Sequence, residues 1–161
     1  MEVRAAHLDD AEAIRVIYNY EVVNTTATFD LVPRSLQDQR EWLAARSGAF
    51  SALVAEHDGI VIGFASLSPY KERAAYRTTV EDSVYIDRVH QGRGAGKLLL
   101  GAIVDVARSS GFHAVMARIE GGGVASRALH TSCGFALVGV EREVGRKFNR
   151  WLDIAVMQLL L

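Results

Sequence analysis

The stretch from Val84 to Leu100, Val-Tyr-Ile-Asp-Arg-Val-His-Gln-Gly-Arg-Gly-Ala-Gly-Lys-Leu-Leu-Leu, restricts the chain more than any other. Val84, Tyr85 and Ile86 are β-branched or aromatic and predict a strand. The pattern breaks at Asp87-Arg88, passes glycines at 92, 94 and 96, and resumes with Leu99, Ile103, Val106 and Ala107 at helical spacing. The first N–H groups of a helix have no intrahelical partner, and the macrodipole makes that end positive. Glycines there remove the Cβ atoms that would hold a pyrophosphate away. A strand, a glycine turn and a helix in this order form a candidate phosphate loop.

Two familiar phosphate loops fail on spacing. A Walker A loop needs G-x-x-x-x-G-K-[ST], but position 91 is Gln and position 98 is Leu. A dinucleotide fingerprint needs G-x-G-x-x-G, and after Gly92 and Gly94 its third place falls on Lys97. What fits is Q-x-x-G-x-G, as Gln91-Gly92-Arg93-Gly94-Ala95-Gly96. This hexapeptide resembles the pyrophosphate loop of the GCN5-related N-acetyltransferases, which bind acetyl-CoA. Alone, it also fits an ordinary glycine-rich helix start.

Composition narrows the partners. A chain of 161 residues supports one well-buried domain, expected over residues 1–161, whereas two halves would each be marginal. Half the residues are hydrophobic and two are proline, which argues against disorder. A net charge of -1 gives no case for nucleic acid or an anionic membrane surface. The apolar runs fall short of the ~20 residues of a membrane span, and the polar start gives no reason to expect a signal peptide. The single cysteine, Cys133, excludes an internal disulfide and suits the cytosol. The histidines at 7, 57, 90, 113 and 130 show no ligand spacing, so no metal is expected.

The remaining elements follow from periodicity and caps. A first strand is predicted over Glu2 to Ala6, then a helix capped by Asp9, with Glu12 completing a capping box, to about Val23. A loop to Pro33 leads to a helix capped by Ser35. Ser51–Glu56 and Ile60–Leu67 predict a hairpin across His57-Asp58-Gly59. Tyr70–Arg77 is a charged connection into a strand over Thr78–Asp87, and the helix after the glycine loop reaches about Ser110. His113–Ile119 predicts a strand, Val124–Cys133 a short helix stopped by Gly134, and Phe135–Val144 with Trp151–Leu160 a last hairpin across Gly145–Asn149. The order β-α-α-β-β-β-α-β-α-β-β predicts an α/β fold, a mixed central sheet with helices on both faces.

That order is also the acetyltransferase order. The chain resembles, more narrowly, the branch that acetylates phosphinothricin and methionine sulfoximine or sulfone. The matching residues are Arg4-Ala5-Ala6 with Asp9-Asp10, Tyr18-Asn19, Thr28-Phe29 and the run Ala75-Tyr76-Arg77-Thr78-Thr79-Val80-Glu81-Asp82-Ser83-Val84-Tyr85. Ser126 with Leu129-His130, Gly134-Phe135, and Lys147 with Trp151 and Asp153 complete the set. The resemblance implies an acetyl-CoA-dependent N-acetyltransferase acting on the α-amine of a small amino-acid-like acceptor. It further implies a homodimer, and the cysteine count with the polar start gives the cytoplasm as the expected location.

Acetyl transfer from a thioester to an amine needs a neutral amine, a stabilised oxyanion and a proton for the departing thiolate. Glu81 is the candidate base, directly or through water; the alternatives are an ammonium-binding group or a solvated carboxylate, with Asp82 as a weaker substitute. The resemblance implies that the backbone of Val84, Tyr85 and Ile86 pairs with the pantetheine arm. It likewise implies that Gln91, Gly92, Arg93, Gly94, Ala95, Gly96 and Lys97 hold the pyrophosphate. Arg93 and Lys97 would add charge there, or form a solvated rim. His130 stands where many relatives carry a tyrosine near the sulfur, and its ordinary pKa near 6.5 suits proton donation. A hydrogen-bonded core histidine is the alternative.

Acceptor contacts are expected from Lys71, Glu72, Arg73, Arg77, Glu81, Asp82 and Ser83, with Phe29 and Tyr20 as an apolar wall; the bland alternative for 71–77 is a charged surface loop. Trp151 is expected to pack or to support the pocket. Gly123, before Ser126, replaces the asparagine that clamps pantetheine in the family, so Gly123→Asn is expected to lower the KM for acetyl-CoA. Two rival functions remain: transfer to another amine, such as a protein N-terminus or a polyamine, and a non-catalytic CoA-binding sensor.

Overall fold

The computed structural model describes residues 1–161. The chain runs β1 (Glu2–Ala5), α1 (Ala11–Asn24), α2 (Leu36–Ala44), β2 (Ala52–His57), β3 (Ile60–Pro69), β4 (Thr79–Ile86), α3 (Ala95–Ser109), β5 (Ala114–Glu120), α4 (Val124–Ser132), β6 (Ala136–Lys147) and β7 (Arg150–Leu160). The predicted element order is the observed one. All seven strands join one sheet, ordered β1-β2-β3-β4-β5-β7-β6. Only β4 and β5 are parallel, because α3 carries the chain back across the sheet before β5 begins.

Each face of the sheet has its own core. On one, Leu99, Leu100, Ile103 and Ala107 of α3 pack on Leu67, Val80, Val115 and Ala117. On the other, Ile14, Ile17, Tyr18 and Val22 of α1, with Leu43 of α2, cover Val54 and Phe64. Strands covered on both faces read as apolar runs, and Leu53-Val54-Ala55 is one, each residue buried.

Tertiary contacts override three local expectations. Asp10 rather than Asp9 stands at the start of α1, and its side chain closes the preceding 3-10 turn instead of capping the helix. Its Oδ2 accepts the His7 N–H at 2.7 Å, while both carboxylate oxygens receive the Arg4 guanidinium from β1 at 2.8 and 3.0 Å. Glu12 instead pairs with Arg15 at 2.8 Å. Ser35 does cap α2, in a reciprocal box with Asp38.

The last turn is shorter than expected, since β6 continues to Lys147 and only Phe148-Asn149, at φ 50° and 58°, make the turn. The register moves from Glu141↔Ile154 to Gly145↔Leu152, so Arg142, Glu143 and Val144 bulge opposite Asp153 alone. Asp153 holds the bulge by accepting the Glu143 N–H at 2.8 Å. Trp151 is neither core nor pocket support: it is 61% exposed, with the Arg146 guanidinium 4.4 Å above its ring.

Candidate active site

β4 and β5 pair only through Thr79↔Ala114, Val80↔Val115 and Glu81↔Met116. Beyond that point the strands part, leaving the β4 edge from Asp82 to Ile86 and the β5 edge from Ala117 to Glu120 without each other. A cavity of about 980 Å³ opens in the gap. It continues past the glycine turn and α4 on one side and past residues 25–29 on the other.

At one end lies the glycine turn. Gln91, Gly92, Gly94, Ala95, Gly96 and Lys97 line the cavity, and Arg93 does not. Gly92 and Gly94 stand at φ 74° and 90°, a left-handed backbone that a side chain would strain. Gly96 has a packing role instead, because a Cβ there would sit 3.1 Å from Leu129 of α4. The first intrahelical bond of α3 is Leu98 N–H to Gly94 O at 3.1 Å, which leaves the N–H groups of Ala95, Gly96 and Lys97 free to point at a ligand.

Along the middle, strand alternation divides β4. Val84 and Ile86 pack toward α3, whereas Tyr85 turns to the other face, 5.2 Å from the Tyr18 ring and 5.3 Å from that of Phe64. Glu81 and Ser83 share that second face and line the cavity. Burial pushes the Glu81 carboxyl above its ordinary 4.5; Arg118 opposes the rise and Asp82 adds to it.

Asp82 points the other way and meets His130, which is 3% exposed. His130 Nε2 lies 2.9 Å from Asp82 Oδ2, and Nδ1 lies 2.8 Å from the Ser126 carbonyl oxygen. Both partners are acceptors, so the ring that satisfies them is the imidazolium, donating at both nitrogens. Burial alone would lower the His130 pKa; the Asp82 hydrogen bond and charge, with the Ser126 carbonyl, more than offset this and raise it. The ring packs between α4 and the sheet against Phe135 and also borders the cavity. Asp82 Oδ1 is buried beside the cavity with no partner.

Gly123 and Ser126 line the cavity where α4 begins. The rationale for Gly123→Asn meets a steric obstacle: a Cβ at 123 would sit 2.9 Å from Ile119 Cγ2 and 3.0 Å from the Glu120 carbonyl. An asparagine therefore requires the turn to shift. Gly123→Asn is expected to lower stability by about 1–3 kcal/mol, the usual range for overpacking, with no gain in acetyl-CoA KM. Thermal denaturation and initial rates check both.

At the other end, Thr25, Thr26, Ala27, Thr28 and Phe29 form a wall. Three long-range contacts fix it. Buried Glu21 receives Arg88 at 3.0 and 2.8 Å. Buried Lys147 donates to the Thr28 carbonyl at 2.8 Å. The Phe29 ring lies against Gly145, where a Cβ would overlap it. Tyr20 is exposed, with Arg88 5.3 Å from its ring, and is not part of the wall. Lys71, Glu72, Arg73 and Arg77 are exposed and lie outside the cavity lining, with Lys71 stacked near Tyr70 and Tyr76.

Several lining residues escape sequence reading. Arg118 and Glu120 share a face of β5 opposite Val115, Ala117 and Ile119, and two charges at alternate positions of a buried strand were the available signal. Glu120 accepts the Gly122 N–H at 2.8 Å. Glu21 and Arg88 are far apart in sequence, and no pattern announces their pairing.

Comparison with known proteins agrees with this geometry. The acetyltransferase (GNAT) family model matches residues 15–135. Two curated relatives are each 40% identical over the whole of this chain. They are the L-amino acid N-acyltransferase MnaT of Escherichia coli, 94% covered, and the L-methionine sulfoximine/L-methionine sulfone acetyltransferase of Salmonella typhimurium, 95% covered. Among solved structures, a ribosomal-protein-alanine N-acetyltransferase from Brucella melitensis superposes with TM-score 0.97 at 39% identity, covering 100% of both chains. A phosphinothricin acetyltransferase from Sinorhizobium meliloti, solved with acetyl-CoA, gives TM-score 0.95 at 37% identity, covering 99% of this chain and 88% of that one. The chain belongs to the acetyltransferase (GNAT) family.

Proposed function

We propose that this chain transfers the acetyl group of acetyl-CoA to the α-amine of a small amino-acid-like acceptor, of the methionine sulfoximine, methionine sulfone or phosphinothricin kind. One observation carries the reading. A single cavity joins a helix N-terminus with free N–H groups, an unpaired strand edge and a half-buried carboxylate with a raised pKa.

In this mechanism the N–H groups after Gly94, with Lys97 as charge, hold the pyrophosphate, and Arg93 stays on the exposed rim. The free β4 edge at Val84–Ile86 pairs with pantetheine, and an N–H of that edge polarises the thioester carbonyl. Glu81 takes a proton from the acceptor ammonium, directly or through water. The neutral amine nitrogen bonds to the acetyl carbon, the C–S bond breaks, and the thiolate takes the second proton that the nitrogen loses as the amide forms. His130, paired with Asp82 and the Ser126 carbonyl, braces the cavity wall where α4 meets β4. Transfer is direct within a ternary complex, and Cys133, half-buried at the end of α4, takes no part. Varying both substrates should give intersecting initial-rate lines; parallel lines would point to an acetylated enzyme.

The acceptor end includes Phe29. Gly145→Ala should expel its ring and raise the acceptor KM several-fold, in line with the ~0.5–1.5 kcal/mol of an aromatic contact, while the acetyl-CoA KM stays unchanged. Equal changes in both KM values would place Phe29 outside acceptor binding.

The chain acts as a single-domain enzyme, and a homodimer in the cytoplasm completes the reading. Support for the dimer comes from β6, an edge strand with Leu137, Val138, Val140 and Val144 exposed. No helix is long and apolar enough to cross a membrane.

A further inference from the structure

We infer that Arg118 binds the α-carboxylate of the acceptor and thereby makes the enzyme selective for free amino acids over neutral amines. This rests on the proposed acetyl transfer and names the group that recognises its acceptor.

An amino-acid acceptor brings an anion into a cavity already lined by Glu21, Glu81, Asp82 and Glu120. Without a cation nearby, that anion would be repelled. Three lysine or arginine side chains line the cavity: Arg88, Lys97 and Arg118. Arg88 is engaged by Glu21 through Nε and Nη2. Lys97 sits on the first turn of α3, at the glycine end. Arg118 alone stands on the strand beside Glu81. The cations of the 71–77 connection lie outside the lining.

The register gives the placement. Glu81 pairs with Met116, and Arg118 is two residues further on the same face, where the strands have just parted. Both side chains line the cavity from that face, one from each of the two strands that bound the gap. The charge of Arg118 acts on the Glu81 carboxyl, so the two groups sense each other. An α-amino acid carries its amine and carboxylate on one carbon, and so can offer the amine to Glu81 and the carboxylate to Arg118.

Arg118 is also held without being used up. Its Nη2 meets Glu141 Oε1 of β6 at 2.5 Å, and its side chain remains 33% exposed. That single contact orients the guanidinium and leaves its other N–H groups without a protein partner, which suits a planar carboxylate.

The test compares methionine sulfone with its carboxamide, which keeps the amine and loses the negative charge. Wild-type kcat/KM should favour the acid by about 10- to 100-fold, the range of a charge-assisted hydrogen bond. In Arg118→Gln the acid-to-amide ratio should fall toward 1; in Arg118→Lys it should keep part of its value. The acetyl-CoA KM and the Tm of both variants should match wild type. The ratio cancels any change in Glu81 itself. An acid preference that survives Arg118→Gln, or a wild type without that preference, overturns the inference. A wild type that acetylates neither compound, yet is stabilised by acetyl-CoA, removes the acceptor reading as a whole.

Discussion

Glu81→Gln is expected to lower kcat/KM for the acceptor by about 10²- to 10⁴-fold, the usual contribution of a positioned general base. Acetyl-CoA affinity should stay within a few-fold, because the glycine turn and the β4 edge are untouched. The size of the effect follows from the protonation problem. An ammonium cannot attack a thioester, and Glu81 is a cavity-lining carboxylate whose burial raises its pKa. A raised pKa makes it a stronger base than an exposed glutamate, and also sets an acid limit. Activity should fall as pH drops through the elevated Glu81 pKa, so the acid limb lies above the ordinary 4.5. In Glu81→Gln that limb should vanish. A variant with full kcat/KM at every pH removes Glu81 from the role of base.

The second large effect is on stability. Asp82→Ala leaves the buried His130 imidazolium without its anion, and breaking a buried pair from one side typically costs about 3–5 kcal/mol. The loss should depend on pH with a definite sign. His130 binds its proton more tightly in the folded state than its ordinary 6.5 allows. The resulting stabilisation is complete below that value and is lost as pH rises through the raised folded pKa. Urea denaturation at about pH 6 should separate wild type from Asp82→Ala widely, and at about pH 9 much less. A difference that grows with pH would mean that His130 is neutral in the fold.

Much of this was legible from local pattern. The glycine turn marked the helix start, Ser35 announced its own cap, and the order of the elements implied a sheet with helices on both faces. What escaped was decided by distant residues. Asp10 displaced Asp9 because Arg4 reaches it from β1. The β6 bulge depends on Asp153 of β7, and the shortness of the turn on two residues that accept a left-handed backbone. The absence of an asparagine at 123 looked like a lost ligand contact; the fold shows that the turn has no room for its Cβ. Charge in the 71–77 connection drew attention to a segment outside the cavity, while the alternating charges of β5, Arg118 and Glu120, drew none. Only the parting of β4 and β5 gives Arg118 its place.

Thiol release from acetyl-CoA by the purified protein tests the central claim most directly. The panel is methionine sulfoximine, methionine sulfone, phosphinothricin, ordinary amino acids, a polyamine and a short peptide. Saturable turnover with the first three, and weak or no turnover with the polyamine and the peptide, is the expected result. Turnover on the peptide or polyamine alone would contradict the acceptor assignment, and silence across the panel, with acetyl-CoA still raising the Tm, would contradict catalysis itself.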